Sequence, residues 1–264
     1  MTDKVTSTVA RVSDSSRKPP VSTDPPPPKR TITVATLIVA MSLPTVLAYL
    51  YFVVLGGSGR PNALQQAAYA SGKTLQFAIP ILFFALVVRR MPAWRRPNGE
   101  GLLLGLGFGL LVSAVAIAVY HGGLHSSKMF AQSPARIRQK LDEFGVTSPL
   151  EFVALGLFIA VVHSFLEEYY WRWFVFGRLR TLMPVWPAIV LSSLGFMSHH
   201  VIVISAYVPD RFWAGVVPAS LAVAIGGAAW AWLYHKAGSL IAPWVSHALI
   251  DGALFVIGWD LMRR

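Results

Sequence analysis

From Ile32 onward, apolar runs alternate with short polar or basic stretches, and most of the runs approach the ~20 residues a helix needs to cross a hydrocarbon core. The runs are Ile32 to Leu55, Thr74 to Val88, Gly101 to Tyr120, Leu150 to Phe176, Pro187 to Tyr207, Phe212 to Tyr234 and Leu240 to Trp259. They predict an all-α polytopic membrane bundle of about seven to eight transmembrane helices. The second run is short, so it is read as tilted, interfacial or extended beyond its apolar part. The one long polar interruption, Gly122 to Ser148, carries Arg136, Arg138, Lys140, Asp142 and Glu143 and predicts an interfacial amphipathic helix. Before the first run, SRKPPVSTDPPPPKR has too few large apolar residues to pack and reads as a disordered tail. The chain thus divides into a Pro-rich tail (1–31), N-terminal transmembrane helices with the interfacial segment (32–149) and a C-terminal transmembrane core (150–264). No internal repeat is visible.

Composition agrees with the pattern. The 264 residues are 55% hydrophobic and 13% charged, with more apolar surface than one soluble core can hide. The net charge of +11 raises the question of nucleic acid. The basic residues, however, form short clusters at span ends rather than one basic face, so no nucleic-acid partner is expected. Lys29, Arg30, Arg89, Arg90, Arg95, Arg96, Arg178, Arg180 and Lys236 fall on one side if the spans alternate, which predicts a cytoplasmic N-terminus in a multi-pass protein of the cell membrane. No small-residue cleavage pattern follows the first span, so it is expected to remain as an anchor. The absence of cysteine excludes a disulfide framework, a thiolate metal site and a cysteine nucleophile.

Three sets of ionisable residues interrupt this apolar background: Glu167, Glu168 and Arg172; His199 and His200; His247 and Asp251. Charge at membrane depth is costly, which makes each set a functional candidate. On a helix Glu168 and Arg172 share a face and can pair, whereas Glu167 points about 100° away and shares its face with His163. One carboxylate can then be held while its neighbour stays available as a base. His199 and His200 are adjacent, so a regular helix aims only one of them at a given site. His247 and Asp251, four apart, can act together. Tyr169, Tyr170, Trp171 and Trp173 read as interface aromatics. A depth mismatch remains: Glu167 sits near the inner end of its predicted span, while His200 is about 20 Å beyond Pro187. A late-starting or broken fifth span would remove it.

These residues resemble the CPBP intramembrane proteases, which include CAAX prenyl endopeptidases and bacteriocin-processing or Abi proteins. The motif EExxxR is matched by Glu167, Glu168 and Arg172, FxxxH by Phe196 and His200, and HxxxN/D by His247 and Asp251, in that order and inside apolar runs. The resemblance covers about residues 150 to 260. It implies a helical bundle that hydrolyses peptide bonds of membrane-associated proteins or peptides, with Glu167 and His200 activating a water, His247 and Asp251 facing the oxyanion, and Arg172 orienting the glutamates. An ionised Asp251 would repel an oxyanion, so the preferred role is to hold His247 as a donor. His163 and His199 lie outside the carried-over set: His163 could hydrogen-bond Glu167 or complete a metal site but is expected to pack, and His199 is expected to contact another helix.

No cofactor is expected. The spacing alone also allows zinc on two histidines and a carboxylate, although the chain has no HExxH. Other functions compatible with buried charge are a proton-coupled transporter and a non-catalytic immunity or scaffold protein. Prenylated CaaX tails, leaders and C-terminal sorting tails all fit as substrates.

Overall fold

A computed structural model describes residues 28–56, 63–92 and 95–263. The Pro-rich tail expected at 1–31 falls almost wholly outside them. Among the described residues, seven helices are long and apolar enough to cross a membrane: α1 (Arg30–Val54), α2 (Ala63–Val88), α3 (Gly99–Leu124), α5 (Pro149–Leu179), α6 (Val185–Tyr207), α7 (Phe212–Ala237) and α8 (Ile241–Met262). A shorter polar helix, α4 (Ser133–Glu143), lies in the segment between α3 and α5. Among the described residues there is no strand. The molecule is a multi-pass helical membrane protein.

Local chemistry sets the helix ends. Ser148 starts α5 with a capping box, its hydroxyl accepting from the Glu151 amide (3.3 Å) while Glu151 Oε2 accepts from the Ser148 amide (2.9 Å). Gly238, in the left-handed region at φ 65°, ends α7, and Ser239 Oγ then accepts from the Ile241 amide at the start of α8.

The second span is longer than its apolar pattern. It begins at Ala63, and its first two glutamines find carbonyl partners within the protein: the buried Gln65 amide donates to the Tyr51 carbonyl (2.9 Å) and that of the more exposed Gln66 to the Glu143 carbonyl (2.7 Å). These bonds remove the desolvation cost that a polarity count assigns to glutamine in a span.

Large apolar side chains such as Ile38, Leu103, Leu111, Leu157, Trp213, Ile225 and Val256 lie on the outside, while Glu167, Glu168, Arg172, His199 and His247 lie inside. This reversal of the soluble pattern suits a protein whose solvent is lipid. Helix α5 runs through the middle, touching α1, α2, α6, α7 and α8. One of the two most extensive contacts joins α3 to α8. It is close because Gly105 and Gly109 lack side chains: a Cβ at Gly105 would stand 2.3 Å from the Ala242 carbonyl oxygen, and one at Gly109 would stand 2.9 Å from Ser246 Cα. Between lipid-facing helices such small residues let dispersion contacts replace the missing hydrophobic drive.

Two expectations need correction. Tyr170 and Trp171 are core residues rather than interface aromatics, with Tyr169 and Trp173 packed partly buried beside them. The Tyr170 hydroxyl donates to the Ala40 carbonyl (2.7 Å), which satisfies it inside the bundle. The depth mismatch also disappears, although α6 is unbroken. Helix α5 continues to Leu179, which puts Glu167 about 18 Å from that end, while His200 lies about 22 Å past Val185.

Candidate active site

Glu167 and Glu168 occupy a single α-helical turn, Ser164–Glu168, between two π-helical stretches, Phe158–His163 and Tyr169–Phe176. A π turn is wider than an α turn, so side chains beyond it depart from the regular 100° progression. Arg172 lies in the second stretch and still reaches Glu168, with Nη1 3.0 Å from Oε1. Its Nη2 donates to the Gly227 carbonyl of α7 (3.2 Å). The guanidinium also stands over the rings of Phe196 and Trp230, 4.5 and 5.0 Å from their centroids.

Glu168 has a second partner from α8. His247 Nδ1–H donates to Glu168 Oε1 at 2.8 Å, and Trp230 stacks on the imidazole at 4.0 Å between centroids. Trp230 is fixed in turn by its own N–H, which donates to Ser246 Oγ (3.0 Å). Glu168, Arg172, His247, Trp230 and Ser246 are all buried, so this is a charged network whose long side chains are each anchored on a neighbouring helix.

Glu167 has looser company. His163 Nε2 is 3.4 Å and His199 Nε2 3.5 Å from its Oε1, and His247 Nε2 is 3.8 Å from its Oε2. His200 completes the group: ligand atoms of Glu167, His199 and His200 lie within 4.8 Å of one another. His200 Nδ1–H donates to the Phe196 carbonyl one turn earlier (2.9 Å). Because a carbonyl can only accept, Nδ1 carries the proton and the neutral ring keeps the Nε2 lone pair for a ligand. Asp251 Oδ2 lies 3.6 Å from His247 Nε2, and both Asp251 and His200 are half-buried.

The six residues singled out by motif, Glu167, Glu168, Arg172, His200, His247 and Asp251, therefore stand together although they come from three helices. His163 and His199 join them, His163 through Glu167 on its own helix and His199 by contacting α5 from α6. The argument from adjacency on α6 fails because imidazole is long enough for both neighbours to lean one way: the His199 and His200 rings are 4.2 Å apart between centroids, and the stacked Trp171 supports His199 from behind. His163 was legible as the residue one turn before Glu167. Trp230 and Ser246 carried no sequence signal, since an isolated tryptophan or serine in a span is ordinary.

Chemically, the Glu167 side offers a carboxylate and imidazoles around one point, enough to grip and deprotonate a small ligand. It also fits a metal by donor type, since two imidazoles and a carboxylate are a usual zinc set. Such a cluster at the meeting of three spans is compatible with an intramembrane hydrolase or a proton relay. Residues 149–253, from the start of α5 into α8, match the family described as type II CAAX prenyl endopeptidase Rce1-like. No curated protein and no solved structure matches the chain. In general terms the protein is a membrane endopeptidase acting on protein, and the transporter and scaffold readings gain no support.

Proposed function

We propose that the chain is an intramembrane endopeptidase that cleaves membrane-associated protein substrates with water activated by Glu167 and His200. Glu167 takes a proton from a water held by the His200 Nε2 lone pair, and the hydroxide forms a bond to the scissile carbonyl carbon. The carbonyl π electrons move to oxygen, where His247 Nε2–H donates to the oxyanion, oriented by Glu168 at its other nitrogen and by Asp251. Collapse of the tetrahedral intermediate breaks the C–N bond, and the proton on Glu167 passes to the leaving amine. Arg172 acts through Glu168 as a positioning residue. The observation that carries this reading is the unequal treatment of two neighbouring carboxylates: Glu168 is taken up by Arg172 and His247, while Glu167 meets imidazoles from three helices at 3.4 to 3.8 Å or within 4.8 Å. Substrates in this reading carry CAAX-type tails, C-terminal sorting tails or leaders, and the chain sits in the cell membrane with its N-terminus cytoplasmic.

A second reading, in which a metal supplies the activated water, rests on the Glu167, His199 and His200 spacing. Those three residues would hold the ion, which would supply a bound water of lowered pKa, and His247 with Asp251 would still face the oxyanion. The metal-free reading is preferred because His247 and Asp251 have a use without metal.

The test is cleavage of membrane-anchored substrates by the full chain, with the substrates first identified from altered protein termini in a deletion strain. Glu167→Gln and His200→Ala should each lower turnover ~10² to 10⁴-fold while accumulating normally in the membrane. Full turnover by either purified variant would sink the assignment. Stoichiometric metal at the site in active protein, lost in Glu167→Gln, would replace the preferred mechanism by the second reading.

A further inference from the structure

Far from the glutamate pair, at the end of the bundle where α3 stops and α8 finishes, three ligating side chains come together. The last turn of α3 is π-helical, Tyr120–Leu124, and carries His121, with His125 just beyond it. The two imidazoles lie 5.7 Å apart between centroids, tilted by 32°. From the C-terminal end of α8, Asp260 points at them: its Oδ2 is 3.5 Å from His125 Nε2. One ligand atom from each of His121, His125 and Asp260 lies within 4.8 Å of the others.

We propose that His121, His125 and Asp260 form a binding site for a zinc-type divalent transition metal, separate from the peptide-cleaving site. Two atoms each bound about 2.0 to 2.1 Å from a tetrahedral ion stand about 3.4 Å apart. The His125 to Asp260 separation of 3.5 Å already meets that spacing, and small rotations bring His121 into place. The donor set, two imidazoles and one carboxylate, is the one that borderline-soft ions prefer, and its exposure leaves a coordination position for water and a path for entry. The carboxylate is also oriented from behind. Tyr120 is buried, and its hydroxyl donates to Asp260 Oδ2 at 2.7 Å, the kind of supporting bond that fixes a ligand before the ion arrives. Asp260 is thirteen residues beyond His247 on the same helix, or about 20 Å, so the two sites are distinct. An ion here would staple the end of α3 to the end of α8, the helix that carries His247 and Asp251, and binding that favours the folded state raises its stability.

The experiment is a zinc titration of the full chain in nanodiscs, made in both wild type and Glu167→Gln so that metal at the glutamate site is counted separately. Expected is one zinc ion retained in Glu167→Gln, with a melting temperature that rises on zinc addition. The pair of substitutions His121→Ala and His125→Ala should abolish both effects while leaving the zinc-free melting temperature of wild type unchanged. Tyr120→Phe should weaken binding by ~10-fold or more. Equal zinc binding with and without the two histidines would overturn the proposal. So would a parent protein whose melting temperature ignores zinc, because His125 and Asp260 would then be an ordinary ion pair.

Discussion

Glu167 and Glu168 are neighbours in the chain, yet their surroundings differ in kind. Around Glu168 the contacts are short and the partners buried: Arg172 at 3.0 Å, His247 at 2.8 Å, and a tryptophan and one backbone carbonyl behind them. Around Glu167 the nitrogen contacts run from 3.4 to 3.8 Å, and His163, His200 and Asp251 are only half-buried. Short, closed contacts stabilise an arrangement; long ones with access leave groups able to take up something else. The pair therefore separates what holds the bundle together from what can react within it.

Removing Arg172 is the strongest way to break this contrast. Arg172→Ala leaves Glu168 buried with its cation gone, a loss of about 3 to 5 kcal/mol for a broken buried pair. Low accumulation in the membrane and a large fall in melting temperature are expected, with activity lost as a consequence. Normal accumulation and stability would mean that the Glu168 side is not structural after all. His199 and His200 sharpen the comparison from the other side. With its Nε2 lone pair available to a ligand, His200 should matter more, so His200→Ala should reduce turnover well beyond the ~10-fold expected for His199→Ala as a supporting group. Equal losses in the two purified variants would instead indicate that both rings grip the same ligand. The smallest effect is expected at Asp251. Asp251→Asn keeps a hydrogen-bonding group beside His247 and should retain activity within about tenfold, whereas Asp251→Leu should not. Bound metal measured alongside separates orientation from ligation, because an amide is a much poorer ligand than a carboxylate.

The sequence showed much of this, and its failures have physical causes. The spans were legible because each needs a long apolar run, and Glu168 with Arg172 because four residues return a helix to the same face. The start of α2 was missed because Gln65 and Gln66 read as polar, and only the folded chain reveals the carbonyls that satisfy them. Tyr170 and Trp171 were placed at an interface on residue type, which is silent about whether a hydroxyl such as that of Tyr170 finds a carbonyl inside. His199 was dismissed by applying ideal helix angles to a side chain whose reach exceeds the angular difference. The spacing of Gly101, Gly105 and Gly109 was in plain view, but which helix they admit depends on tertiary structure.

Helix α5 has one further property. Its 31 residues extend for about 45 Å, whereas the hydrocarbon layer is about 30 Å thick. A rod that much longer than its slab must lean or protrude, and the lean depends on the slab. Since Glu167 rides near the middle of that rod, its depth below the headgroups is coupled to bilayer thickness. Lipids of different acyl length should therefore change which bond of a surface-anchored substrate can reach it.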